Sequence, residues 1–127
     1  MVLPKEMRLK GHKSFDYIHK VSKRYRGSSM TLRVSMANPN LINEFTPHSQ
    51  NKSCRCAISI SNKVSKKAVV RNRLRRLIHD HLRIRLFRKS KYINKWALLS
   101  FKPRCLDKEP KLLLEECDKL LVEAGFC

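Results

Sequence analysis

Residues 66–88 read KKAVVRNRLRRLIHDHLRIRLFR, a stretch in which nine Lys and Arg stand against one acidic residue, Asp80. Apolar residues nonetheless recur at helical spacing. At about 100° per residue, Val70, Leu74, Leu77 and Ile78 fall on one stripe, and Asn72, Arg75, Arg76, His79 and Arg83 fall opposite. One face packs and the other meets anions. Charge runs on helices are ordinarily solvated faces, but those intersperse Glu and Asp among the bases, and this one does not. A cationic face this dense repels itself, so a polyanionic partner is the economical account of it.

The flanks of this helix set the fold. Just before it, residues 54–61, CRCAISIS, alternate Cys56, Ile58 and Ile60 against Ala57, Ser59 and Ser61, the period of a half-buried strand. Ser65 is placed to cap the helix, although Lys66 and Lys67 in a first turn oppose its dipole. After a polar link, residues 95–102, KWALLSFK, form a compact apolar run closed by Pro103, as a buried strand does. Strand, helix, strand implies a parallel crossover.

Further out, residues 29–36, SMTLRVSM, alternate Met30, Leu32, Val34 and Met36 against Thr31, Arg33 and Ser35. This strand is expected to pair with the one at 54–61. Ser14 is expected to cap a short helix over Phe15–Lys23. Pro110 opens a last helix with Leu113, Cys117, Leu120, Leu121 and Ala124 in one stripe, and Gly125 ends it. The acidic outer face of that helix suits a structural lid. Residues 1–13 read as a basic arm and residues 37–53 as a surface insertion. The order is helix, strands, helix, strand, helix on one mixed sheet, an α+β single domain.

Composition narrows the partner. The chain has 127 residues, a formal net charge of +19, a pI near 10.3 and 42% hydrophobic residues. That is enough apolar content for a folded domain, and so high a charge points to nucleic acid before membrane or small acidic substrates. The charge is concentrated: residues 61–104 carry fifteen Lys and Arg against one Asp, whereas 105–127 carry three against six acidic residues. No apolar run has transmembrane length and the first dozen residues offer no secretory apolar region, so a cytoplasmic protein is expected. Five cysteines, Cys54, Cys56, Cys105, Cys117 and Cys127, lack metal-ligand spacing and fit a reducing compartment. A zinc site joining Cys54 and Cys56 to His79 and His81 is disfavoured, because the two histidines leave their helix in nearly opposite directions.

Protein-borne phosphodiester hydrolysis needs carboxylates for metal ions or a paired acid and base. Before residue 105 the only acidic residues are Glu6, Asp16, Glu44 and Asp80, scattered along the chain. His12, His19 and His79 therefore read as supplementary phosphate contacts rather than catalysts. His81 falls within the apolar stripe and reads as a hydrogen-bonded residue at the edge of the core. Tyr17 and Phe45 are expected to pack, whereas Phe15, an aromatic beside basic residues, suits contact with an unpaired base.

KKAVVRNRLRRLI resembles the Arg-Asn-Arg signature helix of the bacterial ribonuclease P protein component, and LPKEMRLKGHKSF with the AISIS strand resembles that family's opening and pre-signature strand. The resemblance covers nearly the whole chain. It implies an αβββαβα order on a four-stranded mixed sheet, the fold of a ribosomal protein's second domain, with the first short strand within Val21–Arg26 and a left-handed crossover. It implies that Lys66, Lys67, Arg71, Asn72, Arg73, Arg75, Arg76 and His79 bind RNA. Phe15, His19 and Arg33 are implied to line a cleft between the first helix, the sheet and the basic helix, which takes the 5′ leader of precursor tRNA. The family commonly has an aromatic or apolar residue at the place of His19 and an aromatic at that of Arg33, which favours phosphate contact over stacking there. The implied partners are ribonuclease P RNA and precursor tRNA, with no DNA and no membrane. Mg²⁺ is implied as the cofactor, held mainly by the RNA, which carries the chemistry. The competing class is a ribosomal or other structured-RNA binding protein, which would not discriminate leader-bearing from mature tRNA.

Overall fold

The computed structural model describes residues 9, 12–36, 54–86 and 95–126. In chain order its elements are α1 (His12–Val21), β1 (Lys23–Arg26), β2 (Met30–Met36), β3 (Arg55–Ser59), α2 (Ala68–Leu86), β4 (Lys95–Phe101), a 3₁₀ turn (Pro103–Asp107) and α3 (Pro110–Glu123). The sheet runs β1-β2-β4-β3, antiparallel at β1/β2 and β2/β4 and parallel at β3/β4. The αβββαβα order is the one the resemblance implies, and the parallel crossover through α2 is the one the strand–helix–strand reading implies. The 37–53 insertion and most of the basic arm lie outside the described residues.

One pairing differs from expectation. β3 is not the neighbour of β2; both flank β4, with Leu32 opposite Leu99 on one side and Ile58 in register with Leu99 on the other. Alternation tells which side chains share a face but not which strand lies next door. The strand that belongs in the middle is the one apolar on both faces, and that is KWALLSF.

β4 separates two apolar clusters. Ala97, Leu99 and Phe101 face Leu74, Ile78, Leu82 and Leu86 of α2 and Leu113, Cys117, Leu120 and Leu121 of α3. Trp96 and Leu98 face the other way, toward Ile18 of α1, Leu9 and Ala57, with Phe15 and Tyr17 packed at the margin. Tyr17 meets Trp96 edge-on with centroids 5.9 Å apart, the packing role expected of it. Leu9 is buried there and donates its N–H to the Cys56 carbonyl at 3.0 Å.

Both expected N-caps fail. α1 starts at His12, so Ser14 lies inside it, fully buried, and the helix ends at Val21 before Lys23 enters β1. The apolar positions of the helix place Ser14 inward, next to Ile18, which a capping reading ignores. At α2 the first turn closes on Lys67, whose carbonyl accepts the N–H groups of Val70 at 3.1 Å and Arg71 at 3.2 Å. Ser65 instead accepts the Lys67 N–H at 3.2 Å and closes the turn leading into the helix.

α3 behaves as read. Its stripe is buried, and Gly125 at φ +85° ends it in a left-handed turn. The Phe126 N–H reaches the Leu121 carbonyl at 2.8 Å and the Gly125 N–H reaches Val122 at 3.0 Å, a Schellman closure that drives the Phe126 ring into the core.

Candidate nucleic-acid interface

α2 turns its i, i+4 ridge Leu74, Ile78, Leu82 and Leu86 into the sheet, and this fixes the direction of every other side chain on it. The ridge one step round, Leu77, His81 and Arg85, leans on α3, and His81 Nε2 lies 2.6 Å from Asp118 Oδ1. On the other flank Arg71, Arg75, His79 and Arg83 follow at one-turn spacing, all half-buried. Lys66, Lys67, Asn72, Arg73 and Arg76 are exposed. The cationic face is therefore graded rather than uniformly solvated. His81 proves to be the hydrogen-bonded boundary residue expected from its place in the stripe.

Local bonds hold parts of this face in shape. Arg71 Nη1 donates to the Ser65 carbonyl at 2.9 Å, pinning the first helical turn to the loop before it. Arg75 Nη1 donates to Asn72 Oδ1 at 3.1 Å, so the asparagine of the signature orients an arginine one turn on. None of these bonds neutralises charge, because the acceptors are a carbonyl and an amide. The arginines stay available to phosphate oxygens, for which the guanidinium fork is suited.

A second cationic surface lies on the opposite face of the sheet. Arg33 alternates with the core residue Leu32, so it points toward α1, and Arg24 is its cross-strand partner. Arg26 pairs with Thr31 on that same face. Like charges directly opposite on a sheet repel. Burial, and then the fields of Arg24 and Arg26, push the Arg33 guanidinium below its ordinary value, though an arginine so placed keeps its charge. Phe15 borders this surface half-buried, and His19 is exposed one turn along α1.

Phe15 and Arg33 are thus brought to one face, but the body of α2 is not part of it. α1 and α2 pack on opposite sides of the sheet, in separate clusters. Sequence reading missed Arg24 and Arg26. The signal was the basic-aromatic-basic pattern of KRYR, in which Tyr25 turns to the main core and the arginines turn away; four residues are too few for periodicity to declare it.

The family profile of Ribonuclease P matches residues 3–125. The chain belongs to that family. It is 68% identical over 127 residues to the ribonuclease P protein component of one strain of Prochlorococcus marinus, covering 100% of both chains. With the ribonuclease P protein component of a second strain of that organism it is 52% identical over 126 residues, 99% of this chain and 98% of the relative. The fold matches that of a Staphylococcus aureus RNase P protein mutant with defective mRNA degradation activity at a TM-score of 0.75 and 19% identity, covering 94% of this chain and 89% of that one. Among the described residues, no helix is long and apolar enough to cross a membrane.

Proposed function

We propose that this chain is the protein subunit of a ribonucleoprotein endonuclease that removes 5′ leaders from precursor tRNA in the cytoplasm. Lys66, Lys67, Arg71, Asn72, Arg73, Arg75, Arg76 and His79 hold ribonuclease P RNA, while Phe15, His19 and Arg33, with Arg24 and Arg26 beside them, receive the single-stranded leader. The observation that carries the reading is the pair of cationic surfaces on opposite sides of one sheet, a helix face for structured RNA and an arginine-bearing sheet face with an aromatic margin for an unpaired strand. A protein that only decorated folded RNA would need the first surface alone.

The chemistry falls to the RNA. Mg²⁺ would be bound mainly by RNA phosphates, since this hard cation prefers anionic oxygen ligands. The protein's work is to bring leader and RNA together and to screen their mutual repulsion, which at low Mg²⁺ is the largest barrier to assembly. Reconstitution with ribonuclease P RNA at low Mg²⁺ tests this. Cleavage at the leader junction is expected with both components and with neither alone. Specific cleavage by nuclease-free protein, or RNA activity indifferent to the protein, would overturn the reading.

A further inference from the structure

We infer that the protein carries a nucleobase pocket beside the signature: a cavity of about 200 Å³ between the start of α2, the 3₁₀ turn and the start of α3, which takes one unstacked base of the partner RNA while Arg73 meets that nucleotide's phosphate. The inference rests on the RNA-binding reading above and adds a site to it. Val70, Leu74 and Leu77 form one wall, Leu106 and Leu113 the other, and Cys105 closes the space between them. Burial pushes the Cys105 thiol up, so at neutral pH this wall is uncharged. Drug-sized ligands occupy roughly 300–1,000 Å³; this smaller slot suits a single flat ring system.

The rim distinguishes a nucleotide from other apolar guests. Two cations line it, Arg73 and Lys108. Lys108 is committed, its Nζ 2.9 Å from Glu116 Oε1. Arg73 is exposed and, among the described residues, has no hydrogen-bond or ion-pair partner. On the wall opposite α2, Leu106 is 47% exposed. Apolar side chains displayed around a free guanidinium, on the most cationic segment of the chain, are matched by a guest that is apolar in its ring and anionic at its attachment. A protein segment supplies the first property without the second. A double helix keeps its bases stacked, so the guest comes from a loop, bulge or end.

Leu106 gives the test, because it is exposed and can be trimmed without opening the core. In equilibrium titrations of the full chain with transcribed ribonuclease P RNA over a salt series, Leu106→Ala is expected to weaken binding fivefold or more. Its slope of log affinity against log salt should equal that of the unaltered chain, since no phosphate contact is lost, whereas Arg73→Ala should flatten the slope. A benzophenone attached through Leu106→Cys, in a chain with Cys127→Ser and its buried native thiols intact, should label a single unpaired nucleotide. Removing the base of that nucleotide should reproduce the Leu106→Ala loss. Affinity of Leu106→Ala within twofold of the unaltered chain, labelling scattered over duplex RNA, or loss of a protein dimer in place of RNA affinity would each overturn the pocket. If the unaltered chain fails to bind the RNA, the parent reading falls with it; if it binds and Leu106→Ala binds equally, the pocket alone falls.

Discussion

Asp118 Oδ1 lies 2.6 Å from His81 Nε2, and the other oxygen of that carboxylate lies 3.0 Å from Arg85 Nη2, so the acidic helix α3 grips the basic helix α2 at two successive turns. The grip orients α2 about its own axis. It turns the Leu77, His81 and Arg85 flank toward protein and leaves the signature flank to the partner.

Asp118→Asn should therefore destabilise the fold while leaving the RNA-facing side chains in place. Both partners are partly exposed, which limits the effect to about 1 kcal/mol. Urea unfolding should show that loss. The salt dependence of RNA binding should be unchanged, because no phosphate-facing cation is removed. A changed slope with unchanged stability would show that Asp118 acts on the RNA and not on the helix pair.

Glu116, two residues earlier on α3 and so on the opposite side of that helix, forms a second clamp. It accepts from Ser28 Oγ at 2.7 Å, the Ser29 N–H at 3.0 Å and Lys108 Nζ at 2.9 Å, tying the β1–β2 turn to α3. Burial by itself would raise this carboxyl, but the hydrogen bonds from Lys108, Ser28 and Ser29 outweigh it and hold it below its ordinary value of 4.5. A carboxyl depressed on folding stabilises the native state fully above the unfolded-state value, and that stability is lost as pH falls through the lower folded value. Glu116→Gln should thus be less stable than the native chain at neutral pH, with the gap closing below about pH 4.5. Parallel denaturation series at pH 7 and pH 3 check it; a gap that widens in acid would contradict the clamp. Gly27 belongs to the same device, since a Cβ there would stand 2.7 Å from Glu116 Oε2 and 3.1 Å from the Met30 carbonyl. Gly27→Ala should cost stability in the way Glu116→Gln does.

The two ends of the signature should respond differently to alanine. Arg76 is exposed and Arg71 is tethered to the Ser65 carbonyl. Arg76→Ala should weaken RNA binding and lower the salt slope by about one unit with no change in stability. Arg71→Ala should do the same and also lose about 1 kcal/mol of stability, because the turn before α2 loses its tether. Salt-series titrations and urea melts of the two variants separate these outcomes, and a stability loss at Arg76 would show that it packs rather than binds.

How much of this was legible depends on which physical rule each feature obeys. The stripe Leu113, Cys117, Leu120, Leu121 and Ala124 and the helix stop at Gly125 follow from local periodicity and backbone freedom, and they stand as read. The neighbour of β3 is a tertiary choice, decided by β4 being apolar on both faces, and alternation within β3 carries no trace of it. Ser14 and Ser65 look like caps because serine competes for backbone hydrogen bonds at helix starts. Whether it wins depends on which turn the core needs. The charged signature was legible because nine bases with one acid is an extreme pattern; the Arg24 and Arg33 pair was hidden because its meaning arises only when β1 is laid against β2.

The last prediction concerns leader selection. Phe15 is half-buried against the cluster containing Ile18 and Trp96, so Phe15→Ala mixes lost packing with lost base contact. Phe15→Leu separates them, since it keeps most of the packing volume and removes the aromatic face. Stacking on an aromatic ring is worth roughly 1–3 kcal/mol per base, so Phe15→Leu in the reconstituted holoenzyme should reduce affinity for leader-bearing tRNA about tenfold. Mature tRNA, which lacks the leader, should bind as before. Arg24→Ala should also weaken only the precursor, and should do so more at low salt, because its contribution is to phosphate. Arg33 complicates the arithmetic in an informative way: with Arg24 gone, one of the charges that repels it is removed, so the free protein should gain stability while the complex loses affinity. Paired titrations with precursor and mature tRNA, alongside urea melts of the free variants, read all three effects. Equal weakening of both ligands by Phe15→Leu, or Arg24→Ala destabilising the free chain, would return this face of the sheet to an ordinary packing surface.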